Sequence, residues 1–320
     1  MTARSPTPTW ISSRRSSCRP AWCGWSSPPS WSRACRGRGD ERPGSREEGA
    51  PPDGAPDYLP DALVTSLENP LRTPPVLGRG PSATATETYA TRLEHTLPVV
   101  RERVERAAHA AGRAVGSVRI VAVTKGHPLD AVDAALAAGL RDLGENRVEE
   151  LEGKVLARGR EAATWHMIGH VQGRKARQAA ELAHLIHSVD SERLADRLAR
   201  IGTEDATEVR VLAQVNTSAE SSKGGFEREK AVESVHRLAE LPGLKVEGLM
   251  TMAPLVDDEA LLHAAFRRLR EIHENLRRVT ARVGAELSMG MTNDLEIAIQ
   301  EGSTMIRIGT ALFGERGGPA

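Results

Sequence analysis

Short β-rich runs alternate with helical stretches along most of this chain, and this alternation limits the possible folds more than any other feature. The strand candidates are residues 117–125, 141–145, 164–169, 184–190, 208–216, 245–253, 285–291 and 304–313. The helical stretches between them include 128–138, 173–183, 191–201, 227–240 and 257–283. Strands separated by helices form a parallel sheet. Eight such repeats favour an α/β fold with a single closed (β/α)₈ TIM barrel.

The alternative is an open, doubly wound sheet. A dinucleotide-binding sheet of this kind carries a GxGxxG motif directly after its first strand. No such motif follows residues 117–125. The pattern therefore favours the barrel.

A long amphipathic helix precedes the first strand, at 93–115, with a regularly spaced apolar face. Before it, residues 1–80 are rich in Pro, Ser, Arg and Gly, and they hold all three cysteines. We expect this extension to be disordered and residues 83–316 to form the barrel with its leading helix. Residues 1–39 contain seven arginines and no acidic residue, as a transit peptide would. A non-native extension is the preferred interpretation.

Composition argues against several function classes. The formal net charge is +0, so no general attraction to nucleic acid or to acidic membranes is expected. No apolar stretch approaches the ~20 residues that span a bilayer. The predicted barrel has no cysteine, which excludes a disulfide framework and is compatible with the cytoplasmic location that we expect.

His166 and His170 have metal-like spacing, but they lie on a strand and its exit and lack the acid of an H-E-x-x-H motif. We therefore expect no zinc site there.

Lys125 closes the first predicted strand, directly after an apolar run. Burying an ammonium group without a partner costs several kcal/mol. A lowered pKa or a covalent bond to a carbonyl cofactor avoids that cost. An ordinary surface lysine is the alternative. Together with the last predicted strand, however, Lys125 points to a pyridoxal phosphate site.

The last two strands supply the other groups that such a cofactor needs. Gly309 and Thr310 could offer backbone N–H groups and a hydroxyl to a phosphate, and Ser288 and Thr292 frame the same corner. Phosphate sites after the seventh and eighth strands are frequent in barrels. Arg307 should share a strand face with Gly309 and could meet the pyridine nitrogen. Since arginine only donates hydrogen bonds, it would leave that nitrogen largely unprotonated.

Each of these features also has a structural interpretation. The 308–310 segment could be a bulge with a glycine kink. Arg307 could form an ion pair with Glu145 or Glu296 that serves packing alone. The joint arrangement of lysine, arginine and phosphate donors favours the cofactor site.

Several longer motifs occur in an order that resembles a known family. They are Val123-Thr124-Lys125, Gly144-Glu145-Asn146, Trp165-His166-Met167-Ile168-Gly169, Ser222-Lys223-Gly224-Gly225-Phe226, Gly248-Leu249-Met250-Thr251-Met252, 287–294 and 306–310. Together they resemble the pyridoxal phosphate homeostasis proteins, also called the YggS/PROSC family. The resemblance covers about residues 85–316.

The resemblance implies one barrel similar to the N-terminal domain of alanine racemase. It implies that Lys125 forms a Schiff base with pyridoxal 5'-phosphate, that Asn146 lies near the ring and that Arg307 faces the ring nitrogen. It also implies a phosphate site made by Ser288, Gly309, Thr310 and Thr292, the last at a place where such proteins commonly have serine.

An amino-acid racemase on the same barrel is the rival function. Racemisation by two bases needs a second acid or base opposite the lysine, usually a tyrosine from a domain after the barrel. Tyr58 and Tyr89 both precede the barrel and the chain ends at Ala320, so we expect no such group. We therefore expect a monomeric carrier, not an enzyme, that holds pyridoxal phosphate reversibly for buffering or for delivery to apo forms of pyridoxal-phosphate-dependent enzymes. A regulator that senses the cofactor stays open.

Overall fold

The computed structural model describes residues 87–218 and 224–315, so the disorder predicted for residues 1–80 lies outside the described residues. The strands of the described ranges are β1 (Arg119–Val123), β2 (Asp142–Glu145), β3 (Thr164–Met167), β4 (Leu185–Val189), β5 (Val209–Asn216), β6 (Phe226–Glu227), β7 (Leu244–Met250), β8 (Glu286–Ser288) and β9 (Met305–Ile308).

Eight of these strands form a closed parallel ring. The order is β4-β3-β2-β1-β9-β8-β7-β5, and β4 pairs with β5 to close it. Each pairing is parallel. The two-residue β6 pairs only with β5. The predicted TIM barrel is confirmed.

Helices surround this ring. Those of the described ranges are α1 (Tyr89–Ala110), α2 (Leu129–Ala137), α3 (Val148–Arg158), α4 (Ala176–Leu182), α5 (Glu192–Glu204), α6 (Ala231–Ala239), α7 (Glu259–Val279), α8 (Leu295–Gln300) and α9 (Thr310–Phe313). Single 3₁₀ turns lie at Arg160–Ala162 and Gly173–Lys175. In the described part of the chain, no helix combines the length and apolar composition needed to cross a membrane.

The leading helix is present, but its bounds differ from the predicted 93–115. The Thr88 hydroxyl accepts a hydrogen bond from the Thr91 backbone N–H at 3.2 Å, so α1 begins at Tyr89. Its end at Ala110 is followed by Gly112, whose φ of 66° is not helical. The predicted apolar face is buried as expected: Leu93, Leu97, Val100, Val104, Ala107 and Ala108.

The last two predicted strands are too long. The β8 strand ends at Ser288, and Gly290 then takes a φ of 96°, which ends the extended conformation. The predicted strand 304–313 is a strand only through Ile308. After it, the Gly309 carbonyl accepts from the backbone N–H groups of Leu312 and Phe313, both at 2.9 Å. The chain therefore turns helical directly beyond the barrel.

Two apolar regions hold the barrel together. The larger one, here called the outer shell, lies between the strands and the helices and includes Trp165, Phe266 and Phe313, all fully buried. The smaller one, here called the inner cluster, consists of Val121, Leu185, Leu212, Met250 and Met305. Strands buried on both faces explain why these segments read as nearly continuous apolar runs.

Candidate functional site

A cavity of ≈ 670 Å³ lies where several strands end. Its walls include Lys125 after β1, Asn146 after β2, Ile168 after β3, Met252 after β7 and Met291 after β8. Six of the seven cofactor-binding residues predicted from sequence line it: Lys125, Asn146, Thr292, Arg307, Gly309 and Thr310. The barrel thus brings these residues together from four strand ends.

Lys125 stands on a tight turn at the end of β1. The His127 backbone N–H donates to the Thr124 carbonyl at 3.0 Å, which closes the turn. Gly126, between them, has a φ of 69°, a conformation that glycine adopts without strain. The Glu150 carboxylate accepts from the Gly126 N–H at 3.0 Å. This turn holds Lys125 half-buried at the cavity wall.

A buried ion pair, between Lys154 and Glu145, contacts the first residue of this turn. The Nζ of Lys154 lies 2.6 Å from Glu145 Oε1 and donates to the Thr124 carbonyl at 2.7 Å. The hydroxyl of Thr124 donates to the same Glu145 oxygen at 2.5 Å. Burial raises the pKa of Glu145, and the charge of Lys154 opposes that rise. Sequence reasoning missed Lys154, because a lysine on an outer helix gives no signal that it is buried.

Arg307 reaches the cavity from β9 and is 5% exposed. Its Nη1 donates to Ser288 Oγ at 2.7 Å, and its Nη2 donates to the Thr251 carbonyl at 3.0 Å. Burial lowers the pKa of Arg307 to about 10, a change that the charge of Asp294 partly opposes, so the guanidinium stays protonated at neutral pH.

The ion-pair interpretation of Arg307 does not hold for either proposed partner. Glu145 pairs with Lys154, and Glu296 pairs with Arg103 at 2.6 Å. No carboxylate of residues 87–218 or 224–315 forms an ion pair with Arg307. A buried cation beside a cavity is stabilised when an acceptor or an anion occupies that cavity. Arg307 therefore fits a ligand that places a hydrogen-bond acceptor or an anion in the cavity.

Ser288 has a different place from the one expected. It is fully buried and does not line the cavity. Its Oγ accepts from Arg307 and lies 2.9 Å from His187 Nδ1. Ser288 therefore contacts the back of the guanidinium, with Arg307 between it and the cavity.

The predicted phosphate corner is formed by Gly309, Thr310 and Thr292, which all line the cavity. The Gly309 backbone passes close to β1, since an added Cβ would lie 3.4 Å from the Val123 carbonyl oxygen. The Thr292 carbonyl accepts from Arg103 at 2.9 Å, which fixes the loop after β8. Two threonines and a glycine that could serve a phosphate thus line the same cavity.

The loop that carries Asn146 depends on a close backbone approach. A Cβ added at Gly169 would lie 2.1 Å from the Asn146 carbonyl oxygen, so only glycine fits there. The Ile168 N–H also donates to the Glu145 carbonyl at 2.9 Å. These contacts fix Asn146 at the cavity wall.

Two buried histidines continue the contact from Ser288 into the barrel. His187 Nε2 lies 2.8 Å from His166 Nδ1, and His166 Nε2 lies 2.9 Å from Asp142 Oδ1. Burial lowers the pKa of His166 and lowers that of His187 well below its ordinary value. We call the series Asp142, His166, His187, Ser288 and Arg307 the polar column.

The histidine spacing noted in the sequence has another explanation. His166 lies inside the barrel, whereas His170 is exposed and contacts Asp190 at 2.8 Å. The two side chains thus belong to separate hydrogen-bonded pairs. The sequence signal that could have identified the polar column is the presence of histidines inside predicted strands that are otherwise apolar.

Comparisons with known proteins agree with this geometry. Residues 97–317 match the family described as alanine racemase, N-terminal domain. The chain is 43% identical over 224 residues to the pyridoxal phosphate homeostasis protein of Pseudomonas aeruginosa, covering 69% of this chain and 95% of that protein. It is 38% identical over 217 residues to the protein of the same description from Aquifex aeolicus, covering 68% and 95%.

Solved structures are similar to the chain as well. PipY of Synechococcus elongatus, with pyridoxal phosphate bound, is 37% identical with a TM-score of 0.58, covering 66% of this chain and 100% of PipY. A Clostridium difficile alanine racemase has a TM-score of 0.58 at 14% identity, covering 70% of this chain and 59% of the racemase. The second likeness concerns the fold alone.

Proposed function

The chain belongs to the family of pyridoxal phosphate homeostasis proteins, and from this premise we propose that its cavity binds pyridoxal 5'-phosphate. The protein would hold the cofactor reversibly on Lys125, for buffering or for delivery. The observation that supports this most strongly is Arg307, a buried cation that faces the same cavity as Lys125 and has no ion pair among the described residues.

Each cavity residue has a role in this proposal. The amine of Lys125 would hold the aldehyde carbon, Arg307 would face the ring nitrogen, and Asn146 would lie beside the ring. Thr292, Gly309 and Thr310 would receive the phosphate, and Ser288 would support Arg307 from behind. When bound, the cofactor supplies an aldehyde that reacts reversibly with amines and a ring that withdraws electrons.

The protonation of Arg307 decides what this site does to the ring. With a pKa of about 10, the guanidinium keeps its proton at neutral pH, and it would donate to the ring nitrogen without protonating it. An unprotonated ring withdraws electrons less strongly. The site is therefore suited to holding the cofactor, and less suited to stabilising carbanions.

The racemase alternative is not favoured. Two-base racemisation needs an acid or base on the side of the substrate opposite the lysine. Among the described residues that line the cavity there is no tyrosine, the residue that usually fills this role, and the acidic side chains there are those of Asp257, Glu259 and Asp294. Tyr89, on α1, contacts His127 Nδ1 at 3.0 Å through its hydroxyl. We assign the chain to cofactor homeostasis and not to catalysis.

Delivery is the finer part of the proposal. Apo forms of pyridoxal-phosphate-dependent enzymes are the proposed recipients, with the carrier acting as a monomer in the cytoplasm. The exposed apolar side chains of Met252, Leu255, Val256 and Met291 lie along the cavity, so a recipient could approach the site over an apolar rim. Mixing loaded protein with an apo-enzyme across a dialysis membrane, and then without one, tests whether transfer needs contact.

Substitution of Lys125 tests the binding proposal. Wild-type protein loaded with pyridoxal phosphate should retain the cofactor's absorption band after gel filtration, and Lys125→Ala should lose it. Lys230→Ala is the matched control, since Lys230 is exposed and pairs with Glu227 away from the cavity. An unchanged spectrum in Lys125→Ala would refute the assignment. Alanine racemase turnover well above that of Lys125→Ala would refute the homeostasis assignment.

A further inference from the structure

The polar column crosses the barrel from one end to the other. Asp142 begins β2, and its side chain is 21% exposed. Arg307 lies at the other end of the column, at the cavity wall. Between them, His166, His187 and Ser288 are fully buried, each at 0% exposure. The polar atoms that join consecutive members are 2.7–2.9 Å apart.

With both imidazoles neutral, the carboxylate at the Asp142 end fixes the direction of every hydrogen bond in the column. An arginine only donates hydrogen bonds, and an ionised carboxylate only accepts them. Ser288 Oγ accepts from Arg307, so its own proton is available to His187 Nδ1. His187 then carries its proton on Nε2 and donates to His166 Nδ1. His166 in turn carries its proton on Nε2 and donates to Asp142.

The reverse direction fails at the Asp142 end. It would require His166 to accept from Asp142, which an ionised carboxylate cannot satisfy. It would also leave the Ser288 proton without the His187 acceptor. A charged histidine donates from both ring nitrogens, so at either position it could not accept from one neighbour and donate to the other. Burial disfavours that charged form. Two neutral histidines with protons on Nε2 satisfy all four links.

We propose that Asp142, His166, His187 and Ser288 are positioning residues that act through this one-way chain to hold and orient Arg307 toward the bound ring. The part of the proposal that concerns the ring rests on the proposed function. Donation by Ser288 to His187 polarises the Ser288 oxygen and strengthens its acceptance from Arg307, because hydrogen bonds in series reinforce one another. The Thr251 carbonyl holds Nη2, so the two contacts together fix the guanidinium plane.

A purely space-filling role would not need this chemistry. The inner cluster shows that apolar side chains fill the same barrel interior at neighbouring positions. Met305, for example, is two residues before Arg307 on β9 and belongs to that cluster. The polar column instead connects a partly exposed carboxylate to the one arginine that lines the cavity within the described ranges.

The first test reads the histidine protons directly in the cofactor-free protein. Nitrogen-15 spectra of histidine side chains, assigned with His166→Gln and His187→Gln, should show both rings neutral with the proton on Nε2. In Asp142→Asn the new amide can donate, so a second population with the proton on Nδ1 should appear at His166. Glu286→Gln is the matched control, because Glu286 also begins a strand but contacts Arg119 and Thr304 outside the column.

Two results of this test would contradict the proposed direction of the hydrogen bonds in the polar column. One is a wild-type His166 or His187 that is charged or protonated on Nδ1. The other is an Asp142→Asn spectrum that matches that of Glu286→Gln. Because no cofactor is present, this test decides the direction of these hydrogen bonds even if the proposed function is wrong.

The second test measures positioning, with pyridoxal phosphate as the probe. Ser288→Ala should weaken cofactor retention about tenfold, the scale of one hydrogen bond to a charged group. It should also shift the absorption band of the bound cofactor, whereas Ser288→Thr, which keeps the hydroxyl, should restore the wild-type band. If wild type binds and Ser288→Ala binds with the same affinity and spectrum, the positioning role is refuted while the proposed function stands. If wild type does not bind, the proposed function fails, and with it the role toward the ring.

Discussion

The outer shell and the interior of the barrel are built by different rules. The outer shell is a large apolar region in which Trp165, Phe266 and Phe313 are fully buried. The interior includes the five apolar side chains of the inner cluster and the polar column. Apolar burial stabilises a fold in proportion to area, whereas buried polar groups are at best weakly stabilising. We therefore expect the outer shell to supply most of the stability, and the polar column to serve the cavity through Arg307.

A single strand shows both rules. On β9, Ile306 and Ile308 belong to the outer shell, whereas Met305 and Arg307 alternate with them on the inner face. One isoleucine-to-alanine change should therefore cost stability without affecting the ligand. A change at Arg307 should weaken ligand binding and leave the stability nearly unchanged. The predictions below test that separation, in order of expected effect.

The largest effect should come from the outer shell. Phe266→Ala should lower the free energy of unfolding by about 4 kcal/mol, because it leaves a cavity in close-packed apolar surroundings. Urea unfolding measures this loss, and Leu261→Ala, at a residue that is 53% exposed, should change it by less than about 0.5 kcal/mol. Below the unfolding transition, pyridoxal phosphate affinity should stay at the wild-type level. A large loss of affinity with little loss of stability would contradict the separation.

The buried pair below Lys125 should give a smaller, pH-dependent effect. Lys154→Met leaves the Glu145 carboxylate buried without its cation and should cost about 3 kcal/mol at pH 7. Burial raises the pKa of Glu145, and removing Lys154 raises it further. An acid whose pKa is higher in the folded than in the unfolded protein binds its proton more tightly when folded, so stability falls as pH rises between the two values.

The loss in Lys154→Met should therefore shrink as the pH is lowered from 7 toward the unfolded-state pKa of glutamate. Urea unfolding at several pH values measures this trend. Leu156→Met, on the same helix at a residue that is 78% exposed, is the control. A loss that is constant over this range would show that removing Lys154 does not raise the pKa of Glu145 in the folded protein.

The polar column should give the opposite pattern from Phe266. Arg307→Met should change the free energy of unfolding by no more than about 1 kcal/mol, since a buried charge replaced by an apolar group of similar size is often neutral. Its affinity for pyridoxal phosphate should fall about tenfold or more, the scale of a lost charged hydrogen bond. Calorimetric titration and urea unfolding measure the two effects. A destabilisation like that of Phe266→Ala, with affinity retained, would assign Arg307 to structure.

The smallest effect should come from the phosphate corner. Thr292→Ala should weaken binding of pyridoxal phosphate about fivefold, the scale of one typical hydrogen bond. Binding of pyridoxal, which lacks the phosphate, should not change. Thr207→Ala, at an exposed threonine away from the cavity, is the control in the same fluorescence titration. Equal losses for both ligands would place Thr292 away from the phosphate.

The sequence predicted the outer shell well, because strands and helices that bury apolar faces leave a periodic pattern. All eight barrel strands and the apolar face of α1 were predicted in their places. Element ends were less predictable. The predicted strand 304–313 contains α9, since a four-residue helix is too short to show a helical period. The segments of α3 and α8 were missed as helices.

The interior could be predicted only in part. Lys125 and Arg307 are cationic residues within segments that the sequence predicts as apolar strands, so their sequence context marks them. The role of Ser288 could not be read in this way, because its contact with His187 joins residues 101 positions apart in the chain. Lys154 was missed for the same reason, since its burial depends on a partner on another element. Long-range contacts leave no local pattern.

Reduction of the loaded protein with borohydride tests the central claim most directly. This treatment makes a reversible bond between an amine and an aldehyde permanent, so the modified lysine can be found by peptide mass spectrometry. We expect the peptide that contains Lys125 to carry the added mass of the reduced cofactor, and the Lys154 peptide to carry none. Modification mainly at another lysine, or at none, would contradict the claim that Lys125 holds pyridoxal phosphate.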